Sequence, residues 1–154
     1  MAELKEGSNA PGFTLATDTG EKLKLSALAG RNVVLYFYPK ADTPGCTVEA
    51  CGFRDAFPRF AGGGAAILGV SPDTVQAVAK FKEKYALRFT LLADSEHAVA
   101  EKYRVWVEKK NYGKTYMGVE RTTFLIGKDG RIAKIFRKVK VDGHAAEVLA
   151  ALGA

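Results

Sequence analysis

The sequence of 154 residues contains only two cysteines and two histidines. Two cysteines are too few for a disulfide scaffold and for a zinc site with four thiolate ligands. His97 and His144 lie far from each other and from the cysteines, so they lack the paired spacing of a two-cysteine, two-histidine zinc site. We therefore expect no metal site, and we assign neither histidine a chemical role.

Long apolar segments are absent as well. The chain has no apolar run of about eighteen residues, and its N-terminal MAELKEGSNAPG lacks the apolar core of a signal peptide. These features predict a cytoplasmic protein without a membrane segment. The length and the hydrophobic content of 47% predict one domain, residues 1–154, around a single core.

Acidic residues are the minority among the charged side chains, and the net charge of +6 raises the question of nucleic-acid binding. However, the cations are spread from Lys5 to Lys140 with Asp and Glu between them. The densest basic run, RKVKVDGH, meets an acid after three cations. This pattern is typical of a solvated basic surface, so we expect no nucleic-acid partner.

Turn residues and hydrophobic periodicity divide the chain into strands and helices. Short strands flank Asp18-Thr19-Gly20 and Lys128-Asp129-Gly130, which predicts a hairpin at each of these turns. Buried strands are predicted at 32–38, 65–70 and 89–92. Helices are predicted from Thr43, from Ser71 and Pro72, from Asp94 or Ser95 through Tyr103, and over 143–152.

This order of elements predicts an α/β sandwich with a mixed central sheet flanked by helices. It fits a thioredoxin-like core to which an N-terminal β-hairpin has been added. No internal repeat or linker interrupts the sequence.

A cysteine follows the first buried strand in the segment Asp42-Thr43-Pro44-Gly45-Cys46. Thr43 is expected to be the N-cap of a helix, and Pro44 suits the first helical position because that residue needs no N–H. Cys46 then lies in the first turn, where free N–H groups and the helix dipole stabilise a thiolate. This context predicts a reactive thiol, whereas two cysteines without it would be interpreted as inert packing residues.

Cys51 lies five positions after Cys46. On a regular helix that spacing separates the two Cα atoms by roughly 8 to 9 Å. A disulfide needs less than about 7 Å. If both residues belong to one helix, we expect a reduced folded form and an oxidised form in which the first turns have rearranged.

The segment YPKADTPGCTVEACGFRD resembles the active-site segment of peroxiredoxins, specifically of the peroxiredoxin Q or bacterioferritin comigratory protein group, which is of the atypical 2-Cys type. The resemblance extends over nearly the whole chain through APGFTL, GVSPD, FTLLAD, YGKTYMGVERTTFLIGKDGRI and VKVDGHAAEVL. It implies that Cys46 is the peroxidatic cysteine and Cys51 the resolving cysteine. It also implies that Thr43 contacts sulfur and peroxide and that Arg121 is the catalytic arginine.

Three supporting positions follow from the same resemblance. Pro39 matches the ring that shields the thiolate from water, and Gly45 is the motif residue that precedes the cysteine. Glu49 matches a position that orients Arg121 or the helix turn, and we do not expect it to exchange protons.

Thiolate formation alone gives limited reactivity. A thiol with a pKa of about 8.5 is about 3% ionised at pH 7, so complete ionisation increases the thiolate only about thirtyfold. Attack on a peroxide also builds negative charge on the leaving oxygen, which hydrogen-bond donors must stabilise. Thr43 and a nearby arginine are the candidate donors.

The resemblance implies a thiol-dependent peroxidase that reduces hydrogen peroxide or organic hydroperoxides through a Cys46 sulfenic acid and a Cys46–Cys51 disulfide. A dithiol protein of the thioredoxin or glutaredoxin type would reduce the disulfide, and no cofactor is needed. A resolving cysteine in the same helix removes any need for a second subunit, so we expect a monomer. Two alternatives remain open: a thiol–disulfide oxidoreductase or redox sensor, and a non-catalytic basic binding module.

Overall fold

Strands and helices alternate along the chain, as the sequence predicts. The structure is a computed structural model that describes residues 4–152. Its strands and α-helices are β1 (Thr14–Thr17), β2 (Lys22–Lys24), β3 (Val33–Phe37), α1 (Pro44–Gly62), β4 (Ala66–Ser71), α2 (Val75–Lys84), β5 (Thr90–Ala93), α3 (Ala98–Lys102), β6 (Trp106–Asn111), β7 (Lys114–Val119), β8 (Thr122–Ile126), β9 (Ile132–Phe136) and α4 (His144–Ala151). A short 3-10 helix, Leu25–Leu28, follows β2. No helix within this range is long and apolar enough to cross a membrane.

Seven strands form one mixed sheet in the order β2-β1-β5-β4-β3-β8-β9. Strands β3, β4 and β5 are parallel, whereas β1 and β8 run antiparallel to their neighbours in this central part. The mixed sheet and the N-terminal hairpin of β1 and β2 confirm the predicted fold class. That residues 1–154 form one domain stays a prediction.

The central strand β3 is buried on both faces, as its continuous apolar run predicts. Val34 and Tyr36 face a core that also contains side chains of α1, α2 and α4. Val33, Leu35 and Phe37 face a second core, which contains side chains of α3. The sheet therefore lies between two helical layers, and the C-terminal end of β3 leads into α1.

Aromatic packing holds α1 on the sheet. The ring of Tyr36 stacks on Phe53 of α1, with 4.8 Å between centroids. Gly69 of β4 makes this position possible, because a Cβ there would lie 2.8 Å from the Tyr36 ring and hydroxyl and 2.9 Å from Leu91.

Two helices begin later than the sequence predicts. Ser71 ends β4, and Thr74 caps α2 instead, its hydroxyl accepting from the Ala77 N–H at 3.2 Å. Helix α3 starts at Ala98 after His97, whose φ is +51°. Asp94 still satisfies the start of this helix, because its carboxylate accepts from the backbone N–H groups of the second and third helical residues at 3.2 and 2.9 Å.

A hairpin of β6 and β7 was not predicted. Its turn is formed by Tyr112 and Gly113, which both have positive φ, +52° and +76°, as a type I′ turn requires. Trp106 and Val119 at the base pack against the α3-side core, whereas Tyr112 at the tip is 97% exposed. The glycine was the available signal, but the flanking residues are mostly polar and give no clear alternation.

Candidate active site

Cys46 lies in the first turn of α1, at the C-terminal end of β3. The helix starts at Pro44 after Thr43, whose extended backbone (φ −98°, ψ 157°) places it at the N-cap. Both positions agree with the sequence-based expectation. The Cys46 side chain is 1% exposed, so the sulfur sits beneath the surface of the first turn.

The Thr43 hydroxyl does not cap the helix. It donates instead to the Lys40 carbonyl at 2.9 Å, within the loop that connects β3 to α1. Thr43 is thus the N-cap, as expected, through its backbone conformation and without a side-chain cap hydrogen bond. Because its proton is engaged, the Thr43 oxygen is oriented as a hydrogen-bond acceptor toward any further partner.

Arg121 reaches the cysteine from the neighbouring strand. Phe37 of β3 pairs with Thr122 of β8, so the residue before Thr122 lies beside the loop that follows β3. Its Nη2 donates to Cys46 Sγ at 3.3 Å. Gly45 leaves room for this approach, because a Cβ there would lie 3.2 Å from Arg121 Nη2.

Glu49 lies one helical turn after Cys46 and binds the same guanidinium. Arg121 Nη1 donates to Glu49 Oε1 at 2.6 Å, so one planar group joins the carboxylate and the sulfur. The carboxylate is 2% exposed, and its Oε2 has no hydrogen-bond partner among residues 4–152. Arg121 thus contacts both the predicted cysteine and the predicted glutamate.

The charges at this contact perturb one another. Burial raises the pKa of Glu49 from 4.5 to about 7, and Arg121 opposes the shift without cancelling it. Burial also lowers the pKa of the Arg121 guanidinium, but its partners Glu49 and Cys46 outweigh that effect and hold it above the ordinary value. Arg121 is therefore a permanent cation beside a carboxyl group that titrates near neutral pH.

This titration predicts a pH-dependent stability. Between about pH 4.5 and 7 the folded protein retains a Glu49 proton that the unfolded chain has lost. The contribution of Glu49 to the free energy of unfolding should therefore fall as the pH rises through this window, by an amount of the order of 3 kcal/mol. Urea unfolding of the reduced protein at several pH values measures this, with Glu49→Gln expected to lack the decrease. The exposed Glu83→Gln variant is the control, and equal pH dependence in all three proteins would contradict the assignment.

Cys51 lies in the second turn of the same helix and is half-buried. Both cysteines are free thiols in this structure. Since they share one continuous helix, the ideal spacing of roughly 8 to 9 Å between their Cα atoms applies. Because both cysteines belong to one helix, we expect the first turns of α1 to unwind before a disulfide can form.

The loop before Cys46 is held by side chains that sequence reasoning missed. Asp73 accepts from the Ala41 N–H at 2.8 Å. Asp42, whose φ is +59°, accepts from Lys84 Nζ and from the Tyr85 hydroxyl, each at 2.8 Å. Residues at both ends of α2 thus stabilise the strained loop from which α1 starts. These contacts are long-range and have no local sequence signal.

Pro39 and the two histidines make none of the contacts described above for Cys46, Arg121 and Glu49. Pro39 is half-buried and directly follows the strand that leads to Cys46. His144 is 1% exposed and binds Thr123 at 2.7 Å and Glu147 at 2.9 Å, whereas His97 stacks on Trp106. Within the described part of the chain, no group of three or more His, Cys, Asp or Glu side chains is placed to hold a metal.

Comparisons with known proteins point to one family. Residues 7–135 match the AhpC/TSA family. Peroxiredoxin Bcp of Bacillus subtilis is 56% identical over 149 residues, which cover 97% of this chain and 95% of that protein. Peroxiredoxin Bcp of Escherichia coli is 46% identical over the same length, covering 97% and 96%.

Solved structures give the same result. A cysteine-to-serine mutant of Xylella fastidiosa PrxQ has a TM-score of 0.94 and 36% identity, covering 99% of this chain and 98% of that one. The Xanthomonas campestris bacterioferritin comigratory protein, studied for alkyl peroxide reduction activity, has a TM-score of 0.90 and 40% identity, with 97% and 98% covered.

Proposed function

Since the chain belongs to the AhpC/TSA family and is accordingly a thiol-dependent peroxidase of the peroxiredoxin type, we propose that Cys46 reduces the hydroperoxide and that Cys51 resolves the product. The observation that carries this assignment is the 3.3 Å contact between Arg121 and the Cys46 sulfur at the start of α1. A cation and a helix N-terminus acting on one sulfur are the conditions that favour a reactive thiolate.

In the first step, the Cys46 thiolate attacks the terminal oxygen of the hydroperoxide. An S–O bond forms, the O–O bond breaks, and an alcohol or water leaves after accepting a proton. Arg121 is the donor available to the oxygen on which charge develops, because it already contacts the attacking sulfur.

Thr43 and Pro39 complete the proposed first step. Because the Thr43 hydroxyl donates its hydrogen bond to the Lys40 carbonyl, its oxygen can accept a hydrogen bond from the O–H of the hydroperoxide and so orient the substrate. Pro39 shields the sulfur from water. Glu49 holds the guanidinium through its 2.6 Å contact and acts through Arg121 rather than on the substrate.

In the second step, Cys51 attacks the Cys46 sulfenic acid, the S–S bond forms, and water leaves. The first turns of α1 must unwind to bring the sulfurs together. The large buried side chains of this helix, Phe53 and Phe60, follow Cys51. Unwinding up to Cys51 therefore exposes only small groups and Glu49, and it avoids the cost of about 3–5 kcal/mol that loss of a buried aromatic carries.

The two half-reactions require a hydroperoxide and a thiol reductant. We propose hydrogen peroxide and alkyl hydroperoxides as substrates, the latter supported by the alkyl peroxide reduction activity named for the Xanthomonas campestris relative. A thioredoxin- or glutaredoxin-type dithiol protein is the proposed reductant. A cytoplasmic monomer remains the proposed form of the protein.

The test is the intact mass and free-thiol count of the protein, without reductant, after one equivalent of hydrogen peroxide. The parent protein should lose two hydrogens and both thiols while staying monomeric. Cys51→Ser should retain at least one oxygen atom, because its Cys46 sulfenic acid has no internal partner.

Other outcomes would overturn parts of this proposal. If both thiols of the folded protein survive peroxide, Cys46 is not the peroxidatic residue. If the thiols disappear in disulfide-linked dimers, Cys51 does not resolve within the same chain.

A further inference from the structure

The thiolate state of Cys46 creates a charge imbalance. Arg121 is already paired with the Glu49 carboxylate at 2.6 Å. Above neutral pH its single positive charge is therefore shared between two anions, the Glu49 carboxylate and the Cys46 thiolate. The titratable groups whose charges act on Cys46 include Tyr36, Tyr38, Lys109 and Arg121. Burial raises the pKa of both tyrosines, so they remain neutral and do not offset the negative charge of Glu49 and Cys46.

Lys109 of β6 is the second cation of this set. It pairs with Tyr116 of β7, but its side chain runs along the hairpin over Gly118. A Cβ on Gly118 would lie 3.3 Å from Lys109 Cδ and 3.7 Å from its Cε. The stem therefore points away from the tip of the hairpin and toward its base, from which the chain continues to Arg121.

Lys109 is half-buried as a residue, and its ammonium forms no ion pair within residues 4–152. Its charge interacts unfavourably with Arg121 and favourably with Cys46 and Glu120. Burial is the largest cause that lowers the pKa of Lys109. Glu120 attracts this cation but forms no ion pair with it, so the ammonium is available to an anion that forms nearby.

We propose that Lys109 supplies the second positive charge that stabilises the Cys46 thiolate once Glu49 has ionised. This inference rests on the proposed role of Cys46 and extends it to the β6–β7 hairpin. Lys109 does not contact the reacting atoms, and its effect is electrostatic. Its removal should lower the fraction of ionised Cys46 at pH 7 by about threefold, as expected for an opposite charge acting through partly solvated surroundings.

The thiolate absorbance near 240 nm measures that fraction without any peroxide. In a Cys51→Ser background the signal comes from Cys46 alone, and Cys46→Ser/Cys51→Ser supplies the blank. Lys109→Met keeps an apolar stem over Gly118 and should reduce the signal at pH 7, with the difference disappearing at high pH. Lys109→Arg should restore it.

The adjacent Lys110 provides the matched control, because it is exposed and occupies the opposite face of β6. Lys110→Met should leave the thiolate fraction unchanged. Equal fractions in the parent and Lys109→Met, or an equal decrease in Lys110→Met, would overturn the proposal. If Lys109→Met fails to fold, Lys109→Gln gives the same comparison. A normal disulfide after peroxide together with an unchanged thiolate fraction would reject the role of Lys109 while leaving the proposed function intact.

Discussion

Cys46→Ser is expected to lower the rate of hydrogen peroxide consumption at least about 10³-fold, to the uncatalysed level. A serine hydroxyl is not ionised at neutral pH, so the nucleophile is lost even though the surrounding donors remain. The measurement is the disappearance of one equivalent of peroxide in the presence of excess protein and without reductant. This single-turnover design isolates the first step from resolution and recycling.

Cys51→Ser is the matched control for this experiment. It should consume the first equivalent at the parent rate, because Cys51 enters only after the O–O bond has broken. Circular dichroism checks that serine at the buried Cys46 position leaves the fold intact. Consumption of peroxide by Cys46→Ser at the parent rate would assign the chemistry to another group.

The start of α1 could be predicted because its signals are local. Pro44 at the first helical position, Thr43 at the N-cap and the preceding apolar strand all lie within a few residues of Cys46. Each reflects a backbone preference that acts wherever the segment is placed. The same locality limits the prediction, because an N-cap pattern does not reveal that the Thr43 hydroxyl donates to the Lys40 carbonyl.

The contact between Arg121 and Glu49 has no such local signal. The two residues are 72 positions apart, and the pairing of β3 with β8 brings them together. Family resemblance pointed to both residues but left open whether Glu49 meets Arg121 or the helix turn. The raised pKa of Glu49 depends on its burial in the folded protein, which the local sequence pattern does not reveal.

The β6–β7 hairpin escaped prediction for a related reason. Most of its side chains are at least partly exposed, so no buried face imposes a period of two on the sequence. From the sequence, Lys109 is consequently indistinguishable from its basic neighbour Lys110. Its half-burial and the path of its stem over Gly118 distinguish it from the exposed Lys110.

Arg121→Met is expected to lower kcat/KM for hydrogen peroxide about 10²- to 10³-fold at pH 7. The substitution removes the donor to Cys46 Sγ and the only cation bound to Glu49 among the described residues. Glu49 should then take up a proton rather than remain a buried anion, so the protein is expected to fold. Arg121→Lys should recover only part of the loss, because an ammonium cannot reproduce the fork that spans sulfur and carboxylate. Arg59→Met, at an exposed position near the end of α1, is the control.

A double-mutant cycle with Glu49→Gln decides how the carboxylate contributes. If Glu49 acts by orienting Arg121, its substitution should lower kcat/KM in the parent protein but cause no further loss in the Arg121→Met background. Losses that multiply in the double variant would mean that Glu49 acts on the sulfur or the substrate independently. The pH dependence of kcat/KM separates the two cases again. A carboxylate that orients Arg121 loses its influence on kcat/KM as it is protonated near pH 7. This pH dependence should therefore be absent from Arg121→Met. The 2.6 Å contact would then be the feature that couples the protonation of a buried carboxyl group to the reactivity of Cys46.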